Sequence, residues 1–97
     1  MEAKNTIYIN KALKRNKVEA IVPLVRGKST VIEVLIDYTH QLFSSIETNS
    51  LDVSIYKSDN QFVIIFSSSA ENIIRQIADD IIDTLDKKGC TLCVNLL

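Results

Sequence analysis

The chain has 97 residues, 46% of them hydrophobic and 24% charged, with a net charge of −1 at neutral pH. That length holds one domain and excludes a second; the composition excludes a disordered chain, and roughly 60–65% of the unfolded surface can be buried without metal or disulfide staples. The small net charge conceals a split: residues 1–28 carry seven cations and two acids, a net +5, whereas residues 29–97 carry four cations and ten acids, a net −6.

In chain order, Thr6–Asn10 is predicted as a short strand. The polar Lys14–Lys17 region joins it as a hairpin to a second strand over Val18–Val25. A helix over Lys11–Lys17 competes, because Ala, Leu, Lys and Arg all favour helix. Pro23 cannot donate to a sheet ladder, so it belongs at an edge, a bulge or a strand end.

A helix is predicted from Thr30 to Thr48. Thr30-Val31-Ile32-Glu33 has the form of a capping box, and Val31, Val34, Leu35, Tyr38, Leu42 and Ile46 recur at helical spacing. Ile32, Ile36 and Phe43 widen that apolar stripe, and Asn49 is a fair left-handed terminator.

Leu51–Lys57 alternates apolar and polar residues as a half-buried strand does. Ser58-Asp59-Asn60 supplies turn chemistry, with Asn60 able to accept positive φ. Gln61–Ser67 returns as the second strand of a hairpin. It is apolar on both faces, with Phe62, Ile64 and Phe66 on one and Val63 and Ile65 on the other, so it is expected to be central and covered on both sides.

Ser68-Ser69-Ala70-Glu71 forms a second capping box. It opens a helix with Ala70, Ile73, Ile74, Ile77, Ala78, Ile81, Ile82 and Leu85 on one stripe and Arg75, Asp79, Asp80, Asp83 and Asp86 opposite. Lys87 and Lys88 suit the negative helix end, and Gly89 is a good residue to follow it. Cys90–Leu96 is predicted as a final strand.

From Val18 onward the order is β-α-β-β-α-β. The expected fold class is therefore α/β (α+β): a ferredoxin-like sandwich, an antiparallel sheet with two helices on one face, plus an extra N-terminal strand or arm. Residues 1–17 are assigned to that basic strand or arm, packed on or extending the domain, and residues 18–97 to the single domain. In that topology one sheet face is open, yet apolar residues of Gln61–Ser67 point to it. Such a face is usually covered, by the N-terminal segment or by a second subunit.

The chemical motifs are sparse. Gly27-Lys28-Ser29-Thr30 resembles the end of a P-loop, but Val22 stands where that motif needs its first glycine, and a strand-to-helix turn explains it. Cys90-Thr91-Leu92-Cys93 is a CxxC, yet in a strand its two thiols point to opposite faces. A structural zinc would need four ligands, and His40 is the sole further candidate. His40 lies on the polar side of its helix, and Ser67-Ser68-Ser69 is explained as cap and turn. With two glycines and one proline, the chain also has few of the special backbone positions that catalytic loops use. No catalytic residue, cofactor or metal is expected.

Two charged clusters remain. Asp79, Asp80, Asp83 and Asp86 form an acidic ridge that Arg75 and Lys87 answer in part, at i,i+4 from Asp79 and Asp83. Lys11, Lys14, Arg15 and Lys17 form a basic patch able to make salt-sensitive phosphate contacts, although Gln61–Ser67 lacks the RNA-recognition signature.

The expected function is a small non-enzymatic protein-protein interaction module, an adaptor, regulator or inhibitor subunit. It self-associates as a homodimer through its sheet face or edge, with Phe62, Ile64, Phe66, Tyr8 and Tyr56 as interface residues. The alternative is a nucleic-acid-binding regulator using the basic segment. Met1–Asn10 has neither the apolar run nor the small-residue cleavage site of a secretory signal. The longest apolar stretch, Phe62–Phe66, is too short to cross a membrane, and two cysteines make no disulfide framework. A cytoplasmic protein with no membrane partner is expected.

Overall fold

A computed structural model of the chain describes residues 6–25, 29–45 and 50–97. The elements run β1 (Ile7–Ala12), a 3-10 turn (Leu13–Arg15), β2 (Lys17–Pro23), α1 (Ser29–Ser45), β3 (Leu51–Lys57), β4 (Gln61–Ser68), α2 (Glu71–Lys87) and β5 (Leu92–Leu96). The five strands form one sheet in the order β3-β4-β2-β1-β5. β1–β2, β2–β4 and β3–β4 pair antiparallel, whereas β1 and β5 run parallel.

The sheet is thus mixed, which corrects the expected antiparallel one. The ferredoxin-like arrangement would seat the last strand beside β2; here β1 occupies that position and carries β5 on its outer side. Within the N-terminal segment, Ile7–Ala12 is therefore the strand of the two alternatives. Ile7 and Ile9 lie fully buried in an interior strand, and burying two such side chains is worth about 1.5–3 kcal/mol each.

The hairpin reading holds, with strands at Ile7–Ala12 and Lys17–Pro23 in place of Thr6–Asn10 and Val18–Val25, and the competing helix shrinks to a single 3-10 turn. Asn16 closes it at φ 55°, the left-handed conformation that Asn tolerates better than most residues. Pro23 is the last residue of β2, so its missing N–H falls at the strand end. In the β3–β4 turn the Ser58 N–H donates to the Gln61 carbonyl at 2.9 Å. Asn16 is the sole non-glycine with positive φ among the described residues, so Asn60 does not take it.

Both helices cover one sheet face. Buried side chains of all the central strands point to it: Ile7 and Ile9, Val18, Ala20 and Val22, Phe62, Ile64 and Phe66. Val31, Leu35 and Leu42 of α1 and Ile74, Ile77, Ala78, Ile81 and Leu85 of α2 close over them. The Tyr38 ring meets Phe66 edge-on at 6.4 Å between centroids, a favoured aromatic geometry. Its hydroxyl donates to Asp80 Oδ2 at 2.8 Å and ties α1 to α2.

Neither expected capping box forms as predicted. Ser68 is still part of β4, opposite Leu51, and its hydroxyl accepts from the Ala70 N–H at 3.0 Å. Ala70 is the residue at the cap, with no side-chain cap bond, and Glu71 turns to Arg75 instead. Thr30 lies inside α1 and so cannot cap it. Gly27, Lys28, Ile46 and Asn49 lie outside the described residues. At the other end of α2, Gly89 takes φ 81°. Gly89 N–H donates to Asp86 O at 3.0 Å and Cys90 N–H to Leu85 O at 3.1 Å, the paired bonds of a Schellman ending.

Candidate functional site: an open face and a free sheet edge

Because side chains alternate along a strand, the strand register fixes what the helix-free face carries. One cross-strand row is Tyr56, Val63, Ile21, Tyr8 and Cys93; the next is Ser54, Ile65, Glu19, Asn10 and Asn95. The first is mainly apolar. In the second, Asn95 Nδ2 donates to Asn10 Oδ1 at 2.8 Å, and Asn10 Nδ2 donates to Glu19 Oε1 at 2.9 Å. These bonds link the polar side chains of three neighbouring strands, β2, β1 and β5, in one chain. A shallow depression of about 350 Å³ lies at the far end of this face, between Tyr8, Ile21, Pro23, Val25 and Gln61.

The register corrects three of the expected interface residues. Phe62, Ile64 and Phe66 are buried beneath the helices and cannot meet a partner in the folded chain. Val63 and Ile65 take their place on the open face, together with Tyr8 and Tyr56. Tyr56 is 59% exposed.

The basic residues do not gather into one patch. Lys17 shares the open face with Ser67 and Ala12, whereas Lys11 stands in register with Val18 and Leu96 on the helix side. Lys14 and Arg15 are exposed in the 3-10 turn between them. Arg15 and Lys17 line a depression with Ser67, Ser68 and Ser69, but Asp52 is on the same wall.

The acidic ridge is likewise divided. Asp83 pairs with Lys87 at 3.1 Å, while Arg75 binds Glu71 at 2.6 Å rather than Asp79. Asp80 accepts from Tyr38 and from Gln76 Nε2. Burial first, then the hydrogen bond and charge of Asp80, hold the Tyr38 hydroxyl well above its ordinary range. Asp79 and Asp86 are exposed.

His40 is exposed on α1. Cys90 precedes β5 and packs against the core; Cys93 points to the open face, its thiol 3.7 Å from Asn95 Oδ1. No group of three metal-ligating side chains comes together among the described residues, and none of their helices is long and apolar enough to cross a membrane.

The two sheet edges differ sharply. An edge strand presents unpaired N–H and C=O groups, which proteins protect with charges, proline or bulges. β3 carries Asp52 and Lys57. β5 carries Leu92-Cys93-Val94-Asn95-Leu96, with no charge and no proline. Val94 is 43% exposed, Leu96 75% and Leu97 71%. Sequence reasoning passed over these residues. The available signal was the absence of any charge after Lys88, combined with Leu92, Val94 and Leu96 at strand spacing.

No family model matches the chain, and no curated protein or solved structure matches it either.

Proposed function

We propose that this chain is a small non-enzymatic protein-protein interaction module that self-associates as a homodimer through a sheet edge. It serves as an adaptor, regulator or inhibitor subunit in the cytoplasm. The observation that carries the reading is β5, an uncharged edge strand whose Val94 and Leu96 are exposed. An edge left this open pairs with another strand, and a partner that covers it gains backbone bonds and apolar burial together. The same reading treats residues 17–96 as a ferredoxin-like β-α-β-β-α-β unit into which β1 has been inserted between β2 and β5. The β3-β4-β2 order supports it.

Light scattering across a concentration series tests the proposal. A mass that rises toward twice the monomer's supports it, and a monomer at high micromolar concentration removes it.

A second reading is a nucleic-acid-binding regulator. It is favoured by the exposed Lys14 and Arg15 in one turn beside Lys17, for which no ion pair is seen among the described residues. It predicts binding to DNA or RNA that weakens steeply with salt and is lost when the three become alanine.

A further inference from the structure

The direction in which each β5 residue points its backbone groups is set by two hydrogen bonds. Ile7 N–H donates to Thr91 O and Leu97 N–H donates to Lys11 O, both at 2.9 Å. In a parallel ladder, residues of one parity turn both backbone groups to the neighbour and those of the other parity turn both away. Thr91, Cys93, Asn95 and Leu97 therefore face β1. Leu92, Val94 and Leu96 present N–H and C=O to the free edge.

The same three residues place their side chains on the helix side of the sheet, in register with Ile7, Ile9 and Lys11. Leu92 packs against the core there, whereas Val94 and Leu96 are exposed. Along the edge the outward-bonding residues read Leu, Val, Leu. That series is its own mirror about Val94, so a two-fold axis through Val94 sets Leu92 opposite Leu96 and Val94 opposite its own copy. An isologous interface needs this kind of self-complementarity.

We infer that β5 is the seam of a two-fold dimer in which it pairs antiparallel with β5 of a second copy, Val94 against Val94, to make one continuous ten-stranded sheet. The inference rests on the self-association proposed above and adds its location and register. Each copy's Leu92, Val94 and Leu96 use both backbone groups across the seam. Their side chains close the apolar strip left bare beside the helices. On the open face Cys93 then stands opposite Asn95 of the other copy, so no intermolecular disulfide is needed. The row that ends in Asn95 therefore meets, across the seam, the other copy's row that ends in Cys93. A seam this short predicts a dimer that dissociates in about the micromolar range.

Residue-resolved amide exchange, measured on the full chain at low and high concentration, separates the register from the mere fact of association. The amides of Leu92, Val94 and Leu96 exchange fast in the dilute protein and become protected at high concentration; those of Cys93 and Asn95 are protected at both. Val94→Pro removes an N–H that bonds to no other strand among the described residues, and Leu96→Asp places a charge on an exposed side chain. Each is expected to keep the native circular dichroism spectrum and to weaken the dimer by about a hundredfold or more. Tyr56→Asp, at the opposite edge, leaves the dimer unchanged. A dimer that survives Val94→Pro and Leu96→Asp but is lost with Tyr56→Asp overturns the β5 seam while leaving self-association standing. Concentration-dependent protection confined to β3 amides does the same. A wild-type chain that stays monomeric overturns both.

Discussion

Tyr38 is where single-residue chemistry bears most on the fold. Its ring packs on Phe66 and its hydroxyl reaches Asp80, so one side chain fastens both helices to the sheet. Burial and the neighbouring carboxylate favour the neutral hydroxyl. A group whose folded pKa is raised contributes stability that is complete below its unfolded pKa, near 10 for tyrosine, and is lost as pH climbs above it. Stability measured by urea melts is therefore expected to fall above about pH 10. Tyr38→Phe flattens that fall and costs about 1–2 kcal/mol at neutral pH; an unchanged alkaline profile in the variant contradicts the assignment. Phe66, fully buried beneath the same ring, is the heavier loss. Phe66→Ala costs about 3–5 kcal/mol by the same melts.

At the scale of elements, what the sequence made legible and what it hid follow one division. α2 announces itself by an apolar stripe opposite a charged one and by Gly89 at its end. The glycine's left-handed φ, with nothing within 4 Å of an added Cβ, makes Gly89→Ala a backbone penalty alone, about 1 kcal/mol in thermal or chemical unfolding. The β3–β4 hairpin was legible from alternation and its Ser-Asp-Asn turn. Strand order was not, because alternation within a strand does not say which strand lies beside it. Nothing local in Ile7–Ala12 tells that it inserts between β2 and β5; only the burial of Ile7 and Ile9 reveals it. Period-two patterning also leaves the choice of face open when both sides are apolar. That is why Phe62, Ile64 and Phe66 were as plausible for the open face as Val63 and Ile65. The caps failed for a related reason: Ser68 is claimed by the end of β4, which outcompetes the helix for it.

For the whole molecule, the charge split along the sequence does not become a split of the surface, because the fold disperses both clusters. Lys11 and Lys17 lie on opposite faces of the sheet, and Asp80 and Asp83 are engaged within the chain. What survives at this scale is asymmetry between the edges: β3 guarded by charge, β5 bare. If the basic turn instead governs function, changing Lys14, Arg15 and Lys17 to alanine abolishes nucleic-acid binding and leaves the oligomeric state untouched. The central claim is self-association through β5, and sedimentation velocity of the wild-type chain beside Leu96→Asp tests it most directly. The wild type is predicted to shift from 10.9 kDa toward twice that mass as concentration rises, while the variant stays at the monomer mass throughout. A wild-type chain that remains at 10.9 kDa at high micromolar concentration, or a variant that dimerises as readily, would contradict it.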